Sequence, residues 1–274
     1  MRSLSAAIAI GIAANAGAAY AGDAGQERFW IQAGVYYPAI DTTIRVQAPN
    51  VANTATTIDF ERDLAFKDRA ALPSVMAGMR LGKDWRVVGE FYRLGRSREA
   101  SLATAIVFDG VTYPVNASVT GSFSSDVYRL SVGYSFINKP KIEVGAALGA
   151  HLTDFSVGLA GTGNVGTAAA SFQERRRRLF APLPTVGLHA EWRPAPRVRL
   201  ATRVDFLSLK IDDYDGRLIN AQASAAYEVT RGLDLGLMWR QVDYRLGVSK
   251  PDWSGQVNYR FSGPMAFVEY RFGG

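Results

Sequence analysis

His151 and His189 are the only histidines in the 274-residue chain, and it has no cysteine. Proton-transfer chemistry near neutral pH would therefore fall to these two imidazoles. His189 and Glu191 stand two residues apart, which on an extended strand puts both on one face. Asp154, three residues after His151, has the opposite parity, so no Ser-His-acid relay emerges. Hydrogen bonding between His and Glu is the expectation. There is no thiolate, no H-x-x-x-H pair and no EF-hand loop, so neither a metal site nor a cofactor is expected. Asp41, Asp59, Glu61 and Asp63 form an acidic set of the kind that binds Ca²⁺, but they read as a solvated loop. The run Glu174-Arg175-Arg176-Arg177-Arg178 is suited to phosphate, because guanidinium groups pair with phosphate oxygens bidentately.

The elements that would carry these residues repeat every second position. Tyr128, Leu130, Val132, Tyr134 and Phe136 alternate with Arg129, Ser131, Gly133 and Ser135. Leu233, Leu235, Leu237 and Trp239 alternate with Asp234, Gly236 and Arg240. Similar runs begin near Arg28, Val75, Ile142, Val186, Val198 and Ala221. Short breaks at Gly82-Lys83-Asp84, Asn138-Lys139-Pro140, Arg193 to Arg197 and Thr230-Arg231-Gly232 read as tight turns. Longer polar stretches at 38–72 and 160–180 read as loops at the other end, with hairpins expected at Asp109-Gly110 and Asp215-Gly216. The pattern predicts an all-β, transmembrane, up-and-down antiparallel barrel of about ten strands, or twelve if the segment around 56–66 adds a spanning pair.

Arg2, the apolar run Leu4 to Ala14 and Ala19-Tyr20-Ala21 predict a signal peptide over 1–21, leaving 22–274 as the barrel domain. The formal charge of +6 comes with no basic helix or RNA-binding signature, so a nucleic-acid partner is not expected. A soluble β-sandwich or lipocalin-like barrel would turn its apolar face inward. Here the alternate face mixes glycine with charge, and Tyr37, Trp85, Tyr128, Trp192, Tyr227 and Trp239 fall at strand ends like an interfacial girdle.

Parity then assigns a lumen: Arg80, Arg86, Glu90, Arg129, Glu143, His151, His189, Glu191, Arg199, Arg203, Asp205, Glu228, Asp234, Arg240, Glu269 and Arg271. Opposite charges in so narrow a space should pair across it, because an unpaired buried charge is costly. The same parity turns Arg176 and Arg178 outward above Phe180, and puts Arg93 at the outer end of its strand. All three would face lipopolysaccharide phosphates.

The C-terminal run Ala266, Val268, Tyr270, Phe272 alternates apolar residues up to a final aromatic. It resembles the C-terminal β-signal of bacterial outer-membrane proteins, with Val268, Tyr270 and Phe272 as its core; Gly273-Gly274 follow where the family pattern usually stops. The resemblance, shared with the leader and the strand series, is to the small outer-membrane β-barrels as a class. It implies insertion in the outer membrane, passage through the barrel-assembly machinery, and lipid and lipopolysaccharide as surroundings. A non-enzymatic role is expected, either structural in the envelope or as a narrow porin-like channel for a small polar solute. The alternatives are a hydrolase or lipid-modifying enzyme with a lumen His-acid group, and an adhesin or receptor acting through loops. Omptin-like proteases are also ten-stranded barrels using Asp and His, but at the extracellular rim; His189 lies near the opposite turn.

Overall fold

The computed structural model describes residues 27–47, 55–165, 171–250 and 253–273. The signal peptide expected over 1–21 lies outside the described residues.

The strands are β1 (Phe29–Tyr36), β2 (Ala39–Gln47), β3 (Thr57–Asp59), β4 (Leu72–Leu81), β5 (Trp85–Ser101), β6 (Ile106–Phe108) and β7 (Val111–Tyr113). They continue as β8 (Ser118–Lys139), β9 (Ile142–Val165), β10 (Ser171–Ala195), β11 (Val198–Ile211), β12 (Tyr214–Thr230), β13 (Leu233–Lys250) and β14 (Trp253–Phe272). One helical turn, α1 (Phe60–Asp63), follows β3. Ten strands close an antiparallel ring in the order β1-β4-β5-β8-β9-β10-β11-β12-β13-β14, with β14 returning to β1. Over its lower part every strand of the ring is paired on both sides, as a spanning sheet requires.

Several sequence expectations change. Within the 38–72 stretch, residues 39–47 are wall and not loop: after Pro38, β2 carries on the line of β1 along the upper half of β14, from Ala39↔Ser262 to Gln47↔Ser254. Gly263 allows the proline to pass, since a Cβ there would lie 2.6 Å from the Pro38 Cα. Thr57 to Phe66 adds no spanning pair; it supplies β3 and α1 inside the barrel mouth, so the ring has ten strands and not twelve. The 160–180 stretch is mostly strand, pairing from Phe155↔Leu179 up to Gly163↔Ser171. The hairpin expected at Asp215-Gly216 turns earlier, after Ile211↔Tyr214, with Asp212 at φ 47°. Asp109-Gly110 does form a hairpin turn, at φ 49° and 77°. Its strands β6 and β7 fold over the mouth and bury Phe108, Val111 and Tyr113.

The phase of the apolar alternation reverses partway up the wall. In the lower part of β13, Leu235, Leu237 and Trp239 face outward and Asp234 and Arg240 face inward. Above Arg240 the outward residues are Gln241, Asp243 and Arg245, while Val242, Tyr244, Leu246 and Val248 are buried. β8 behaves alike: Tyr128 to Phe136 are exposed and apolar, whereas Val119, Phe123 and Val127 are buried above Arg129. The reversal falls at an outward aromatic level that includes Tyr37, Phe91, Tyr128, Phe206 and Trp239. Below it the barrel is built for lipid outside and charge inside. Above it, over roughly 25 Å of wall from Tyr128 to Ser118, it is built like a water-soluble protein.

That upper core is stoppered by the inserted segments. Asp59 caps α1, accepting from the Arg62 N–H at 2.9 Å. Phe60 packs on Phe66 at 5.1 Å and edge-on to Phe123 at 5.8 Å. From β5, Arg96 ion-pairs with Glu61, donates to the Thr42 hydroxyl at 2.6 Å, and lies over Phe66 and Phe123 at 5.2 and 5.7 Å. The set Asp41, Asp59, Glu61 and Asp63 is thereby divided among a cap, an ion pair and the outer wall.

One seam breaks the wall. β10 pairs with β11 only from Ala195↔Val198 to Val186↔Phe206, so Ser171 to Thr185 has a partner on the β9 side alone. Pro182 and Pro184 lie in this stretch, where a missing N–H costs least.

Candidate functional site

Every residue assigned to the lumen by parity lies on the inner face of the wall, and the strands bring most of them into three ion-pair groups. In the first, Glu143 of β9 accepts from Arg80 of β4 at 2.8 Å, from Arg86 of β5 and from the Ser135 hydroxyl of β8. His189 of β10 stands beside them, with Nε2 3.5 Å from Ser135 Oγ and 4.0 Å from Glu143. Gly145 makes this possible: a Cβ there would lie 2.5 Å from the His189 ring.

The second group is the most buried. Arg129 of β8 bridges Glu90 at 2.8 Å and Asp205 at 3.0 Å. Arg203 grips Asp205 from its own strand at 2.8 Å. Arg240 pairs with Glu90, donates to Gln222 at 2.9 Å, and sits over the rings of Tyr36 and Tyr92, each at 5.7 Å. At 0% exposure Arg240 is the largest wholly buried side chain, and it lies where charge below meets aromatic core above. The third group rings the lower end: Arg199 pairs with Asp234 at 2.8 Å and with Glu269, and Arg271 pairs with Asp234 at 2.9 Å, Glu228 at 2.9 Å and Glu27 at 3.0 Å. Glu191 pairs with Arg193 at 2.9 Å.

The histidines are not brought together. His151 faces Leu183 across the β9–β10 ladder, next to Arg129 on β8 and 6.1 Å from the Tyr244 ring, whereas His189 faces Gly145 lower down. Ser135, His189 and Glu143 do meet, but serine and acid share the Nε2 side and Nδ1 has no partner among the described residues. A relay needs the nucleophile and the orienting acid on opposite ring nitrogens, so this is not one. Glu191 turns to Arg193 and not to His189.

Parity puts Gln32, Ser135 and Gln222 on the inward face too, but a lumen set chosen by charge left out this second layer of polar residues. Tyr36 and Tyr92 escaped the sequence reading, because they look like ordinary alternation.

On the outer wall, Arg93 pairs with Asp126 at 2.8 Å, one step above the Phe91–Tyr128 contact at 4.9 Å. Arg176 and Arg178 point outward on the upper part of β10, while Arg177 turns toward Asp109 at 2.6 Å. Val268, Tyr270 and Phe272 line the outer face of β14 and meet β1 at Ala33, Ile31 and Phe29, closing the ring.

A closed antiparallel ring with an apolar outer band and a charged lower lumen defines the class of bacterial outer-membrane β-barrels. No protein-family model matches the chain, and no curated protein matches it in sequence. Among solved structures it is similar to the outer membrane protease OmpT from Escherichia coli, with a TM-score of 0.54 and 12% identity over 91% of this chain and 100% of that one. The translocator domain of the autotransporter NalP from Neisseria meningitidis follows at 0.46, with 11% identity over 90% of each chain. The Pseudomonas putida toluene transporter TodX gives 0.38, with 11% identity over 90% of this chain and 89% of that one. At 12% identity the likeness to OmpT is one of fold alone.

Proposed function

We propose that the chain is an integral outer-membrane protein with a closed, non-catalytic barrel that serves the envelope structurally. The observation that carries this reading is the buried layer that closes the lumen above its lower ion pairs. Arg240, Tyr244, Tyr259 and Phe261 are at most 2% exposed, and they span the interior between the lower ion pairs and the stoppered mouth. A narrow channel for a polar solute would need a wetted path past them, and the charge groups below are spent on each other. A hydrolytic role would need a relay that the His189 geometry lacks. Adhesion through the 38–72 segment is the weaker reading, because residues 39–47 are wall and Thr57 to Phe66 pack into the mouth. Planar-bilayer recording of the refolded chain tests the reading: no discrete conductance is expected, and regular single-channel steps would overturn it.

Lipid and lipopolysaccharide are the proposed surroundings, with the barrel-assembly machinery acting during biogenesis through the β14 signal. Arg93, Arg176 and Arg178 are the proposed phosphate contacts, because all three guanidinium groups are outward above the apolar band. Reversing the charge of Arg176 and Arg178 should lower lipopolysaccharide co-purification; unchanged recovery would remove the contact.

A further inference from the structure

The lower lumen is not completely filled. A cavity of about 120 Å³ lies beneath the Arg240 layer, with Arg193 and Arg271 at its periplasmic side. That is room for several waters or one small oxyanion.

Its lining is electrostatically lopsided: seven arginines against three glutamates, Glu27, Glu191 and Glu269. Most of the carboxylates that neutralise the lumen stand further back. Glu143, Asp205 and Asp234 have side chains 7%, 2% and 2% exposed, against 16%, 15% and 18% for Arg80, Arg86 and Arg199. The cavity therefore presents guanidinium groups, with most of their counter-charges behind them.

The atoms left unsatisfied point the same way. Gln32 Nε2, Arg86 Nε, Arg199 Nε, Arg271 Nε and His189 Nδ1 belong to residues that line this space, are buried, and have no hydrogen-bond partner among the described residues. The first four are donors, and the imidazole nitrogen is one when it carries the ring proton. Gln32 is itself only 4% exposed. A buried donor without an acceptor is costly, and what completes this set is an acceptor with several oxygens.

We propose that the lower lumen is a dead-end cup, open to the periplasm, that binds a small free oxyanion of the phosphate, sulfate or carboxylate class. The cup needs the closed layer above it only as a floor, so anion binding and conductance succeed or fail separately. A phospholipid headgroup at the inner leaflet offers similar oxygens and is the competing source.

The test is phosphorus NMR and calorimetry of inorganic phosphate with the full refolded chain in lipid-free, non-ionic detergent, ionic strength held with chloride. Saturable one-to-one binding is expected, weakened about tenfold by Gln32→Leu, which removes one donor to a charged ligand and leaves every ion pair intact. Arg86→Gln provides a second variant and should weaken binding at least as much. Charge reversal of the outward Arg176 and Arg178 should leave binding unchanged. Absence of saturable binding, equal affinity in Gln32→Leu, loss with the outward pair, or saturation only by phosphatidylglycerol vesicles would each overturn the proposal.

Discussion

Arg129 shows what single side chains do in this lumen. It sits between Glu90 and Asp205, and each of those has another arginine, Arg240 and Arg203. Replacing Arg129 with methionine keeps the packing volume but leaves two carboxylates sharing two guanidinium groups with no bridge. We expect a loss of about 3 kcal/mol, the scale for breaking a buried pair from one side, read by urea unfolding in lipid vesicles. A change within experimental error would mean that the pairs act independently. Above the membrane, burial holds the Glu61 carboxyl above its ordinary range, outweighing the opposing pull of Arg96. The folded state thus binds this proton more tightly than the unfolded chain. Its contribution is fully present below the ordinary glutamate value of about 4.3 and is lost as pH rises through the raised folded value. Glu61→Gln should flatten that part of the stability–pH curve, and identical slopes in parent and variant would count against it.

Elements explain what was legible in the sequence and what was not. The lipid-facing runs stood out because apolar and charged residues alternate there without interruption, as in Tyr128 to Phe136. Inward parity was enough to find Arg80, Glu90, Arg129, Glu143 and Asp205, since a strand has only two faces. The upper walls were hidden because their alternation runs in the opposite phase. Val242, Tyr244, Leu246 and Val248 continue β13 without a turn, yet share parity with Arg240 and not with Leu237. Polar outward residues made such stretches look like loops, and Pro38 disguised β2 as the start of one. The reversal implies that deletions on the two faces differ in cost. Phe261→Ala, which empties part of the upper core, should cost about 3–5 kcal/mol, whereas the lipid-facing Val268→Ala should cost far less in detergent. Equal costs would deny the upper core. The seam adds a second expectation. Amides of Ser171 to Thr185 that point away from β9 should exchange with solvent much faster than those of β8, whose two sides are both paired. Uniform protection along β10 would show the wall to be continuous.

At the scale of the molecule, two solvents shape one continuous wall. Lipid selects an apolar exterior below the aromatic level, leaving charge to pair inside; water selects the reverse above it. The outer-membrane class was readable from the spanning half alone. The closure was not, because it depends on β3, α1 and the β6–β7 hairpin turning inward, and no local signal in their sequence states that direction. Closure is what would separate the proposed structural barrel from a channel, and the proposal rests on the same reversal. The chain has no cysteine, so each one introduced is a unique probe. Single cysteines along β13 from Leu235 to Val248, challenged with a membrane-impermeant maleimide in reconstituted vesicles, test the account most directly. Labelling is predicted at 241, 243 and 245, with protection at 242, 244, 246 and 248 and at the lipid-facing 235 and 237. Labelling of 242 to 248 at rates like those of 241 to 245 would mean a water-filled upper lumen and would contradict the closed barrel.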